Sequence, residues 1–145
     1  MPEQGLLSTG APWPAPPQNF SSDHDRARLS GPALKAFDRI ARAWGLTNPE
    51  AAALLGMSPS TWDRARRGTR AEPLSQDQLT RASALIGIFK GLRLLFADDM
   101  SDRWPRLPNR GPLFDNLSPV AAMAAGGIPR MLEIRRYVDA LRGGI

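Results

Sequence analysis

The sequence predicts an all-α protein in which a helix-turn-helix module is joined by a long helix to a small C-terminal helical module. Three observations carry that expectation. From Pro32 onward apolar residues recur at spacings of three and four; the gaps between these runs hold helix-opening and helix-closing residues; and no stretch alternates apolar and polar residues as a half-buried strand would. At 145 residues the chain suits one ordinary domain or two small helical modules, not two large independent cores.

Residues 1–28 are expected to form a disordered or extended arm. Within them Ala11-Pro12-Trp13-Pro14-Ala15-Pro16-Pro17 cannot be a helix interior, because each proline removes a donor and restricts the residue before it. The arm has neither the basic opening nor the apolar run of a signal peptide. Leu34, Phe37, Ile40, Ala41 and Trp44 then mark a first amphipathic helix, stopped by Gly45. Thr47-Asn48-Pro49-Glu50 reads as a capping box that opens a short helix running to Leu55. Gly56-Met57-Ser58 breaks that helix. Ser58 as N-cap, with Pro59 at the first helical position where no donor is lost, opens a third helix that ends at Gly68. These elements define a module over residues 29–72.

The remainder, residues 73–145, begins with a second capping box, Ser75-Gln76-Asp77-Gln78. Leu79, Ala82, Leu85, Ile86, Phe89, Leu92, Leu95 and Phe96 follow on one broad apolar side of a helix of about 20 residues, roughly 30 Å long. Such a stripe is either core or the seam of a dimer. Asp98 to Asn116 reads as a polar, proline-punctuated connection pinned by Trp104 and Phe114. Ser118-Pro119 opens a short helix that ends at Gly126-Gly127. Ile128, Met131, Ile134, Val138 and Leu141 mark the final helix, closed by Gly143-Gly144.

The net charge of +5 arises from 19 Lys and Arg against 14 Asp and Glu, and only Lys35 and Lys90 are lysines. Guanidinium groups suit bidentate contacts to phosphate, guanine or carboxylate, although arginines on solvated faces would give the same composition. Without cysteine there is neither a disulfide framework nor a thiolate metal site, and no run reaches the roughly 18 apolar residues of a membrane span. The expectation is a cytoplasmic protein that uses no cofactor.

The strongest local signal is Ala52, Gly56 and Trp62. A helix-turn-helix needs a small residue where its second helix crosses the first, a glycine for the unusual backbone angle of the turn, and an apolar anchor on the second helix. Ser58 to Arg67 is then the recognition helix. Ser58, Ser60, Thr61, Asp63, Arg64, Arg66 and Arg67 are expected to be exposed toward DNA, with Trp62 and Ala65 pointing inward. Hydroxyls at a helix start suit phosphate contacts, and arginine can read guanine O6 and N7. A structural helix pair with a solvated basic face is the alternative. Catalytic patterns are missing: the one histidine, His24, falls in the arm, Asp98, Asp99 and Asp102 lack the spacing of a calcium loop, and Gly126-Gly127 lies between helices instead of after a strand. An enzyme is therefore disfavoured.

The second half resembles the toxin-binding domain of the Xre/MbcA/ParS antitoxins. The resemblance rests on Leu85-Ile86-Gly87-Ile88-Phe89-Lys90-Gly91-Leu92-Arg93-Leu94-Leu95-Phe96, on Trp104 with Pro108-Asn109, on Phe114, Ser118-Pro119 and Gly126-Gly127, and on Arg135-Arg136-Tyr137-Val138-Asp139-Ala140. Upstream, Glu50-Ala51-Ala52-Ala53-Leu54-Leu55-Gly56 is similar to the Xre-like helix-turn-helix, so two adjacent features agree in order. The resemblance implies an antitoxin that binds a cognate RES-domain toxin, a type that depletes NAD, and that represses the shared operon by binding operator DNA as a homodimer. It implies a toxin-binding surface over Trp104 to Ile145, with Trp104, Asn109, Arg130, Arg135, Arg136, Tyr137 and Arg142 as its candidate residues. Two features depart from the pattern: the family often has glycine where this chain has Asp115-Asn116, and the proline-rich arm has no counterpart. Two rival expectations are a dimeric transcription regulator with no toxin partner and an adaptor that binds protein but not DNA.

Overall fold

A computed structural model describes residues 20–69 and 72–143, and among them all regular structure is helical. Trp13 and the proline run lie outside the described residues. The order is α1 (Asp23–Ala43), α2 (Asn48–Leu55), α3 (Pro59–Arg66), α4 (Gln76–Leu95), α5 (Asp98–Arg103), a 3-10 turn (Trp104–Arg106) and α6 (Pro119–Arg142).

Helix α1 opens earlier than the sequence suggests, inside the stretch assigned to the arm. The Ser22 hydroxyl accepts from the Asp25 N–H at 3.3 Å, so the cap lies ten residues before Pro32 and His24 stands exposed in the first turn. Pro32, expected to open the helix, sits within it. Ser30, buried two residues earlier, donates its hydroxyl to the Arg26 carbonyl at 2.6 Å and accepts from the Leu74 N–H at 2.7 Å, tying α1 to the loop that leads into α4.

The connection over Asp98 to Asn116 is also more regular than expected, because it contains α5 and the 3-10 turn. Asp98 and Asp99 occupy the first turn of α5, where carboxylates suit the helix dipole, and Asp102 accepts from Arg93 of α4 at 3.0 Å. Asp115 and Asn116 both adopt positive φ, at 50° and 64°. The turn thus keeps the left-handed conformation that glycine favours, using the two residue types that tolerate it best. The break expected at Gly126-Gly127 is present within α6: Gly127 has φ 66° and ψ −154°, so two helical segments meet there.

Helix α4 runs through the middle, against α1 on one side and α6 on the other. Its crossing with α6 is close because Gly91 has no side chain; a Cβ there would lie 2.6 Å from Val138 Cγ1. Phe37 and Trp44 of α1, Leu54 and Leu55 of α2, Trp62 of α3, Leu85, Ile88 and Leu92 of α4, and Met131, Ile134 and Val138 of α6 belong to one contiguous core. Much of the apolar stripe on α4 is therefore core of the single chain, with Leu79, Leu85, Ile88 and Leu92 buried. Ile86, Phe89, Leu95 and Phe96 of the stripe are partly buried against that core, whereas Leu94, off the stripe, is 68% exposed. Among the described residues no helix is long and apolar enough to cross a membrane.

Candidate nucleic-acid interface

Helices α2 and α3 pack as the two arms of a helix-turn-helix. The α2 N-terminus carries the full capping box: the Glu50 N–H donates to Thr47 Oγ1 at 3.2 Å and the Thr47 N–H to Glu50 Oε1 at 2.9 Å. Gly56 ends α2 with φ 70° and ψ 42°, a left-handed angle that a side chain would strain. Ala52 is 1% exposed, which leaves room for α3 to cross. Trp62 anchors α3, 1% exposed, with its ring edge-on to Phe37 at 5.2 Å, and Ala65 is buried beside it. The local signals in the sequence thus meet at one crossing.

The seven candidate DNA contacts do not share one face. Ser58, Thr61 and Arg64 line a polar cleft of about 580 Å³ that also reaches Gln78 at the start of α4. There the Ser58 hydroxyl accepts from the Thr61 N–H at 3.1 Å, donates to Thr61 Oγ1 at 2.8 Å and lies 3.2 Å from Ser60 Oγ. Arg66 and Arg67 instead border a depression of about 610 Å³ on the α1 side, together with Lys35. Thr61 and Asp63 are half-buried, where full exposure was expected. Asp63 accepts from Arg66 at 2.7 Å and Arg67 at 3.1 Å. The Arg66 hydrogen bond, with the charge of Arg67, holds the Asp63 carboxyl below its ordinary range. Asp63 therefore restrains two arginines and offsets part of their charge. Among the described residues Arg64 makes no ion pair, which leaves its guanidinium available.

The candidate toxin-binding residues are likewise engaged to different degrees. Trp104 stacks on Tyr137 at 6.4 Å and meets Phe114 edge-on at 5.8 Å, while Phe114 and Tyr137 are 5.5 Å apart. This aromatic triad fastens the connection to α6. Asn109 Oδ1 accepts from the Gly111 N–H at 2.8 Å and its own N–H donates to the Leu117 carbonyl, so it shapes the turn. Arg130 donates to the Leu113 carbonyl and pairs with Glu133 at 3.1 Å. Arg135 lies across α4, filling the space a Cβ on Gly87 would take. Arg142 pairs loosely with Asp139 at 3.6 Å. Arg136 is exposed and, among the described residues, makes no ion pair; it follows exposed Pro129 and Leu132 along the outer face of α6.

Two contacts on α2 had no signal in the sequence. Arg106, from the 3-10 turn, reaches Glu50 with both nitrogens, at 3.1 and 3.2 Å, and Arg81 of α4 lies beside Gly56. The first follows from a sequence separation of 56 residues, beyond any local pattern.

A tryptophan-anchored second helix, a left-handed glycine turn and an unpaired arginine on the outer face define a helix-turn-helix of the DNA-binding class. Residues 23–87 match the antitoxin Xre-like helix-turn-helix domain, beginning at the first residue of α1 and ending inside α4. The chain is 36% identical over 135 residues to "Uncharacterized protein y4oB" of Sinorhizobium fredii (strain NBRC 101917 / NGR234), covering 89% of this chain and 98% of that protein. The chain belongs to one family with that rhizobial protein, and its residues 23–87 match the antitoxin Xre-like helix-turn-helix domain, a match that points to a DNA-binding antitoxin or regulator.

Proposed function

We propose that the protein is an antitoxin that represses its own operon through α3 and neutralises a cognate RES-type, NAD-depleting toxin through its C-terminal segment. The observation that carries the DNA half is Arg64, unpaired and sharing a cleft with Ser58 and Thr61. The hydroxyls suit phosphate at a helix start, and the guanidinium suits a guanine edge. Asp63, with its carboxylate committed to two arginines, has an orienting part in this reading in place of a direct contact.

For the toxin half, the resemblance of the C-terminal segment gives the partner class, and exposure narrows the residues. Trp104, Asn109, Tyr137, Arg130 and Arg135 build the surface, while Arg136 and Arg142, exposed on the last turns of α6, are the cations left to enter an anionic or nucleotide-binding cleft. The reading includes a homodimer, since two recognition helices on a shared operator bind two half-sites. Exposed Leu94 is a residue that a second copy would cover.

Two measurements test the proposal. A gel shift on the DNA upstream of its own coding sequence, across a salt series, should show specific binding that weakens as salt rises. Co-expression with a RES-domain toxin encoded beside it should restore growth, and the Arg136→Glu variant should not. Failure of the wild-type chain to rescue growth would leave the DNA-binding regulator and remove the toxin.

A further inference from the structure

Helix α2 has no basic residue of its own in its last turn, although that end carries unpaired carbonyls and the negative pole of the helix. The charge comes from another element. Arg81 of α4, with its side chain 18% exposed, is held by Asp77 at 2.7 Å and extends Nη1 to the Leu54 carbonyl, a long contact at 3.5 Å. Its guanidinium covers the turn glycine so closely that a Cβ on Gly56 would lie 2.9 Å from Nε. On its other side, Nη2 is 3.9 Å from where a Cβ on Gly127 would stand, at the break in α6. One cation thus covers the turn from which α3 is presented. At its other end α2 is fixed by Arg106 on Glu50, again from outside the helix-turn-helix.

We infer that Arg81 is a positioning residue of the DNA interface, fixing the α2 end and the Gly56 turn so that α3 is held at its docking angle. The inference rests on the DNA-binding reading and deepens it. Arg81 is too enclosed to serve as a phosphate contact, so its effect on binding is geometric.

The test uses the full chain and a labelled duplex of the DNA immediately upstream of its coding sequence, with a scrambled duplex as control. Variants are Arg81→Met and Asp77→Asn, each first checked for helix content. Arg81→Met should weaken specific binding roughly fivefold or more, the lower end of a typical coupling between sites, with the slope of affinity against salt unchanged. Asp77→Asn, which keeps the cation but releases its tether, should weaken binding less and serves if Arg81→Met does not fold. A salt slope reduced by about one would make Arg81 a phosphate contact and overturn the inference. Wild-type affinity in Arg81→Met would overturn it too. If the wild-type chain does not prefer the upstream duplex over the scrambled one, the DNA-binding reading itself falls and takes the inference with it.

Discussion

Truncating the chain after Gly126 should abolish DNA binding as well as any C-terminal activity, although the deleted part is distant in sequence from α3. The removed segment includes Met131, Ile134 and Val138, each 0% exposed and each part of the core shared with α1 and α2. Deleting one buried side chain of this size costs about 2–5 kcal/mol. Three such losses, about 6–15 kcal/mol, match the whole stability of an ordinary domain, about 5–15 kcal/mol. Circular dichroism during heating and binding to the upstream duplex would be measured side by side. The expected result is a chain without a cooperative melt and without specific binding. A truncated protein that melted cooperatively and still bound the duplex would show that α1 to α4 stand alone, and the single-core argument would be wrong. Met131→Ala gives the graded version: a melting temperature lowered in proportion, with binding retained at temperatures where the variant is folded.

Arg64→Ala should weaken specific DNA binding by about 1–3 kcal/mol, or roughly 5- to 150-fold, and relax base preference at one position, as a gel shift on a set of altered duplexes would show. Asp63→Asn releases Arg66 and Arg67 and should raise affinity for unrelated duplexes with a steeper salt slope; an unchanged slope would mean that the two arginines face away from DNA. Trp62→Ala should lower stability by about 3–5 kcal/mol in urea denaturation, because it removes the main anchor of α3. The Thr47 backbone N–H, followed by the Arg106 guanidinium, outweighs desolvation and holds the Glu50 carboxyl below its ordinary value of 4.5. Its stabilising contribution is therefore complete above pH 4.5 and lost as pH falls through the lowered value. The stability difference between wild type and Glu50→Gln should narrow over that acid range, and a gap that widened would refute the assignment.

What the sequence determined by itself is local. Thr47, Ser58, Ser75 and Ser118 were each legible as N-caps, and each accepts a backbone N–H three residues on, because a cap is decided within one turn of chain. The same locality made the Gly56 turn, the inward side of Trp62 and the break at Gly126-Gly127 readable. Tertiary structure decided the rest. Pro32 reads as a helix start, yet α1 runs through it from Ser22, with Ser30 bound to a loop 44 residues away. Asp98 to Asn116 reads as a polar connection, yet it folds into α5 and a turn whose aromatics pack on α6. The exposed face of α3 was legible as a set of residues but not as two faces, since only the neighbouring helices show that Arg64 opens toward α4 and Arg66 toward α1. Whether the stripe on α4 was core or seam depended on where α1 and α6 come to lie. Periodicity reports which side of a helix avoids water; it carries no information about what covers that side, because that is settled by contacts between residues far apart in the chain.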